Sequence, residues 1–247
     1  MGCYSLKGEI NMTNEEFVKK LKTVLTYKTL YVIGCFGAPM TSKNKTRYIN
    51  NGSHDGYNAR PERKAMITSA TDDTFGFDCV CLIKGILWGW NGDKTKNYGG
   101  AAYASNGVPD IGADSIINVC KNISTDFNKI EVGELLWTPG HVGIYIGDGL
   151  AIECTPAWEN GVQVTACNRN VVGYNRRNWK RHGKLPYITY TENKLDTGAE
   201  ILEALIDKHG VKINERERAI KAIDNAKNNS NFSSLYWILY KLVNGNG

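Results

Sequence analysis

Four short segments between residues 130 and 167, "IEVGELLWT", "HVGIYIGDG", "LAIECTP" and "GVQVTAC", constrain the fold of this chain more than any other feature. Each alternates or runs apolar over strand length and is closed by Gly, Pro or Asp. Together they predict a small antiparallel sheet built from hairpins, with "IGDGLAI" as its tightest turn. Upstream, "CVCLIKGILWGW" (79–90) is apolar over about three turns and predicts a helix buried on most sides.

The remaining chain divides by the same criteria. "MTNEEFVKKLKTVL" has Thr13 as N-cap, Glu16 completing a capping box, and Phe17, Val18, Leu21, Val24 and Leu25 at helical spacing. "TLYVIGCFGAP" (29–39) reads as a short strand or a tight lead-in loop. Residues 40–73 are polar and lack apolar periodicity, which predicts a long loop of the kind that carries function. A second, glycine-rich loop spans 91–114, and "SIINVC" predicts a short helix. After a last strand and linker in "KLPYITYTENKLDTG", three amphipathic segments end the chain, with Gly210 as a C-cap and Asn231 as an N-cap. The expected organisation is a domain over 12–190, a linker over 191–198 and a helical region over 199–247. That region reads as a small appendix or oligomerising element, with partner binding as the sharper alternative. Met12 is an alternative initiator, which would leave 1–11 as a disordered extension.

With 42% hydrophobic and 22% charged residues the chain can bury a core, so disorder is not expected. A net charge of +5 favours anionic partners without choosing among them. The basic runs "RPERK" (60–64) and "RRNWKRHGK" (176–184) read as solvated loop charge. Seven cysteines, with no Cys-x-x-Cys pair, form no disulfide framework and no zinc site, so a reducing compartment and no metal are expected. No signal-peptide core and no run of about 18 apolar residues occurs. The chain is therefore expected to be made in the cytoplasm, with no transmembrane segment, and to need a release route if it acts outside.

Nucleophilic chemistry is the best use of the polar residues set among these elements. Cys79 opens the predicted helix, where free backbone amides favour thiolate and offer an oxyanion site. Cys81, about 200° around the helix, is expected to face the core. Among the histidines, His54 lies in the polar loop, His182 in a basic loop and His209 at a helix end. His141 alone begins an apolar strand. Across the "GDG" hairpin Glu153 lies within reach of it, suited to orient an imidazole. Each of the three taken alone reads as an ordinary core or edge residue. Their order, a helix led by Cys, a strand led by His and then a polar residue on the next strand, describes a papain-like thiol site.

The segments "YVIGCFGAP", "FGFDCVCLIKG", "GHVGIYIGDG" and "LAIECTP" resemble the NlpC-type family of cell-wall cysteine peptidases, and within it the endolysins of phages and prophages of Gram-positive bacteria. The resemblance covers roughly residues 15–190. It implies an α+β, papain-like fold in which a nucleophile-bearing helix packs on a small antiparallel sheet. It implies Cys79 as nucleophile, His141 as base, Glu153 as orienting residue, and Tyr31 and Asp78 as substrate-binding residues, with no cofactor. Peptidoglycan is the implied partner rather than nucleic acid, and hydrolysis of a peptide or amide bond the implied activity. Acyl transfer and a non-catalytic wall-binding role are the alternatives. The chain departs from the family pattern at Val80-Cys81, where Ser-Gly is usual, and at Ile33 and Cys35, where Trp and Gly are usual. The loops 40–73 and 91–114 would line the groove, with Trp88, Trp90 and Trp158 as candidate walls.

Overall fold

The computed structural model describes residues 12–191. The chain divides into two compact units, Met1–Thr191 and Glu192–Gly247, and the described residues all belong to the first. The predicted N-terminal extension, the linker after Thr191 and the C-terminal helices lie outside the described residues.

Helix α1 (Asn14–Val24) forms as its caps dictate: Thr13 Oγ1 accepts from the Glu16 amide at 3.1 Å, and Glu16 accepts from the Thr13 amide at 3.0 Å. Its buried stripe is Phe17, Val18, Leu21 and Val24. The lead-in segment then makes β1 (Thr29–Tyr31) and β2 (Phe36–Pro39), which flank β3 (Phe75–Phe77) in a three-stranded sheet, β1 parallel and β2 antiparallel to it.

The polar stretch 40–73 is not the expected loop. It holds α2 (Ser42–Ile49), a tight turn α3 (Ser53–Gly56) that is left-handed at His54 and Asp55, and α4 (Pro61–Ser69). Apolar periodicity misses them because they are tied down by polar groups, with Tyr48 and Ile67 as the main apolar anchors. Buried Asn58 donates to the carbonyls of Ile33 (2.9 Å) and Tyr48 (3.0 Å) and accepts from the Ile33 amide (3.1 Å). Asn44 donates to the Pro39 carbonyl, and Arg63 to the Tyr31 carbonyl and to Asn160. In this region side-chain amides and a guanidinium satisfy backbone groups that a regular ladder would satisfy elsewhere.

Every residue of α5 (Cys79–Leu87) is buried. Gly85 is what lets it lie on β2, since a Cβ there would sit 2.8 Å from the Phe36 carbonyl oxygen. After the irregular 91–112 stretch and the short α6 (Ala113–Ile116), seven strands form the main sheet. They are β4 (Lys121–Ser124), β5 (Leu135–Thr138), β6 (His141–Gly147), β7 (Leu150–Thr155), β8 (Gly161–Cys167), β9 (Arg176–Arg177) and β10 (Arg181–Lys184). Their spatial order is β4-β10-β5-β6-β7-β8-β9, antiparallel except for β8 with β9. The β6–β7 turn has positive φ at Asp148 (54°) and Gly149 (74°), as a two-residue hairpin loop requires.

One face of β6 and β7 presents Val142, Ile144, Ile152 and Cys154, which join Leu82, Ile83 and Ile86 of α5 in a single core. Each such fully buried aliphatic side chain contributes about 1.5–3 kcal/mol of transfer free energy. The fold is thus α+β, with one apolar helix seated on an antiparallel sheet. "KLPYITY" departs from expectation: β10 ends at Lys184, and the chain beyond it returns to the first helix, with Thr189 exchanging backbone hydrogen bonds with Met12 and Asn14. No described helix is long and apolar enough to cross a membrane.

Candidate active site

The turn from β3 into α5 is fixed by Asp78. Its Oδ1 accepts from the Cys81 amide and its Oδ2 from the Gly34 amide, both at 2.7 Å, so one carboxylate caps the helix and anchors the lead-in segment. Cys79 is consequently the first helical residue. Its sulfur faces the amides of Val142, Val80 and Cys79 itself. The expected lowering of its pKa by the helix N-terminus does not prevail: burial first, then the Asp78 charge, push the thiol up to about 12, and the three amides pull the other way without winning. The six described cysteines are all free and buried.

His141 and Glu153 meet because of strand register. Tyr145 pairs with Ala151, and alternation then puts His141, Gly143 and Tyr145 on the same face as Glu153 and Thr155. His141 Nε2 lies 2.6 Å from Glu153 Oε2. Gly143, between them in the strand, leaves room for Trp179: a Cβ there would come within 3.0 Å of that ring. The Trp179 ring stacks on the imidazole with centroids 5.5 Å apart and planes 10° from parallel. With Nε2 taken by Glu153, Nδ1 is the nitrogen left for chemistry. No hydrogen bond joins it to the Cys79 thiol among the described residues; the sulfur instead reaches the amide of Val142, the residue next to His141.

Glu153 has no solvent exposure, and a buried carboxylate needs several partners. Besides His141 it accepts from Thr165 Oγ1 at 2.6 Å, from Arg177 Nε at 3.1 Å on both oxygens, and from Arg177 Nη2 at 2.7 Å. Burial pushes its pKa up, but the His141 and Arg177 hydrogen bonds outweigh burial and hold it below the usual carboxylate range. Arg177 also donates to Thr155, and its guanidinium carbon sits 4.8 Å from the ring centre of Trp158.

Arg177, Thr165 and Trp179 were not picked out by the sequence. The run 176–184 read as solvated charge, yet it supplies the counter-ion of Glu153, the ring beside the imidazole, and His182, which is buried against Glu134. The one available signal was the buried carboxylate itself, which demands a cation without saying which.

Tyr31 ends β1 and is 9% exposed. Burial and then the Cys79 and Asp78 charges push its hydroxyl above the usual range, and Tyr31 and Cys79 belong to the same core cluster. Trp88 and Trp90 are not groove walls: both are buried and donate to backbone carbonyls, of Val108 at 2.9 Å and Gly37 at 3.0 Å. Trp158 is exposed over Arg177. Cys81 is buried as expected, but it also lines a cavity of about 550 Å³ that the 40–73 and 91–114 segments enclose with α5.

No protein-family model matches the sequence, and no curated protein matches it. Solved structures that align with the chain include NlpC and P60 proteins at low identity. NlpC2 from Trichomonas vaginalis is 16% identical, with a TM-score of 0.36 over 73% of this chain and 48% of that one. NlpC1 from Trichomonas vaginalis is 14% identical, TM-score 0.35, over 73% and 46%. The P60 domain of antigen MAP1204 from M. avium subspecies paratuberculosis is 17% identical, TM-score 0.35, over 69% and 96%. The chain spans about half the length of the two Trichomonas proteins.

Proposed function

We propose that this chain is a thiol hydrolase that opens a peptide or amide bond of bacterial peptidoglycan, in the manner of a phage or prophage endolysin. One observation carries the reading: an imidazole held at 2.6 Å on a fully buried carboxylate begins the strand whose next amide faces a helix-leading thiol. The sequence motifs around Cys79 and His141, in that chain order, support the wall as the substrate.

In this reaction Nδ1 of His141 takes the Cys79 proton as the sulfur attacks the carbonyl carbon. A thiol held near 12 does not stay ionised at rest, so proton removal and attack belong to one step. The carbonyl oxygen gains charge over the Cys79 amide. Glu153, kept ionised by Arg177, stabilises the imidazolium and fixes which nitrogen faces the sulfur. Collapse breaks the carbon–nitrogen bond, and the imidazolium gives its proton to the departing amine. Water, deprotonated by the same nitrogen, then frees the acid from the thioester. Tyr31 and Asp78 are assigned to substrate binding in this reading, from their place in the motifs. The enzyme would be made in the cytoplasm and act on the wall after release.

Digestion of purified walls by wild type, Cys79→Ala and Cys81→Ala, with products identified by mass spectrometry, tests this. Release of new amino groups by wild type and Cys81→Ala but not by Cys79→Ala is the expected result, and the fragments name the bond. Inactive wild type, or active Cys79→Ala, overturns the hydrolase reading. Products carrying an added amine acceptor would mark an acyltransferase.

A further inference from the structure

The cavity of about 550 Å³ beside the candidate site is lined by two cations, Arg47 and Lys84, two carboxylates, Asp78 and Asp110, and His54. Its floor is one face of α5, through Asp78, Val80, Cys81 and Lys84. Asp78 and Val80, the residues on either side of Cys79 in the chain, both line it, so the cavity adjoins the helix start that carries the thiol, on the side of α5 turned away from the sulfur.

Most charges in it are already matched. The Lys84 ammonium, 3% exposed, is ion-paired with Asp110 and donates to the Ile111 carbonyl at 3.0 Å. Asp110 accepts in addition from the Tyr103 hydroxyl at 2.8 Å. Asp78 is engaged by two backbone amides. Arg47 differs. Its guanidinium lies over the Tyr98 ring at 4.9 Å and donates to the Tyr98 hydroxyl at 2.5 Å, and it has no carboxylate partner among the described residues. Tyr98 is itself stacked on Phe36 at 4.4 Å, so the aromatic shelf under the guanidinium is fixed by the core. A guanidinium pre-set on a shelf in the lining of a cavity, with donors unspent, suits a planar two-oxygen anion.

We propose that this cavity is a specificity subsite for a carboxylate-bearing substrate residue, with Arg47 as the group that recognises the carboxylate. The proposal rests on the peptidoglycan reading and adds to it that free carboxylates on the stem peptide are preferred over their amidated forms. Arg47 is exposed, so its replacement does not disturb the core.

Calorimetric titration of the Cys79→Ala protein tests binding without requiring turnover. The probes are a soluble stem peptide with free carboxylates and its twin in which those carboxylates are carboxamides. The expected result is binding of the acid at least about tenfold tighter than the amide, a difference that Arg47→Gln abolishes and Arg47→Lys partly restores. Equal binding of the two peptides, absence of binding, or an acid preference that survives Arg47→Gln overturns the subsite. Because no bond is broken in this measurement, its outcome is independent of the wall digestion. A protein that digests walls yet shows no carboxylate preference loses the subsite and keeps the hydrolase reading.

Discussion

Replacing Arg177 by Met isolates the interaction on which the geometry at His141 depends. Methionine keeps much of the stem and removes the three hydrogen bonds to Glu153. A buried carboxylate stripped of its cation costs about 3–5 kcal/mol. Glu153 keeps His141 and Thr165, and the Arg177 side chain is 22% exposed, so the loss is discounted to about 2–4 kcal/mol. With an m-value of about 2 kcal/mol/M, the urea midpoint at pH 7 falls by about 1–2 M. The pH dependence is the sharper reading. Glu153 is held below its ordinary value in the folded protein, so its contribution is complete above the unfolded carboxylate value and fades as pH falls through the folded one. The gap between wild type and Arg177→Met is therefore wide at pH 7 and narrows toward pH 3. Glu153→Gln made in the Arg177→Met background costs less than it does in wild type, because the orphaned charge is gone. A gap that is the same at pH 3 and pH 7, or a double mutant whose losses add, would refute the argument.

Three further outcomes follow from the same structure. Alkylation of Cys79 by iodoacetamide, followed by mass spectrometry, rises steadily with pH up to at least pH 9, because burial holds the thiol near 12; a plateau reached by pH 7 would mean a preformed thiolate–imidazolium pair. Asn58→Ala orphans the Ile33 and Tyr48 backbone groups and lowers stability by about 3 kcal/mol or more in urea melts, whereas a change under about 1 kcal/mol would mean water replaces the amide. Gly37→Ala prevents proper folding, since φ is +100° there and a Cβ would lie 2.1 Å from Trp90 Cδ1; a native-like near-ultraviolet spectrum with unchanged midpoint would contradict this.

Local chemistry was enough for the elements that report on themselves. The Thr13–Glu16 capping box, the apolar run from Cys79, the Asp148–Gly149 turn and the strands on either side of it are readable because cap, period and turn residue act over a few positions of chain. The twelve-residue step from His141 to Glu153 was readable too, because one tight hairpin fixes the register between them. What required the tertiary structure was everything joined by distant segments. Arg177 reaches Glu153 from 24 residues away across β8, and nothing in "RRNWKRHGK" distinguishes the arginine that pairs with a buried carboxylate from those that do not. The helices of 40–73 are held by Asn58, Asn44 and Arg63, whose partners lie on other elements, so no periodicity announces them. The state of the Cys79 thiol was decided the same way. Sequence supplies the helix N-terminus and the neighbouring Asp78 charge, effects of one turn, whereas the burial that dominates the thiol exists only once sheet and helix have closed around the sulfur.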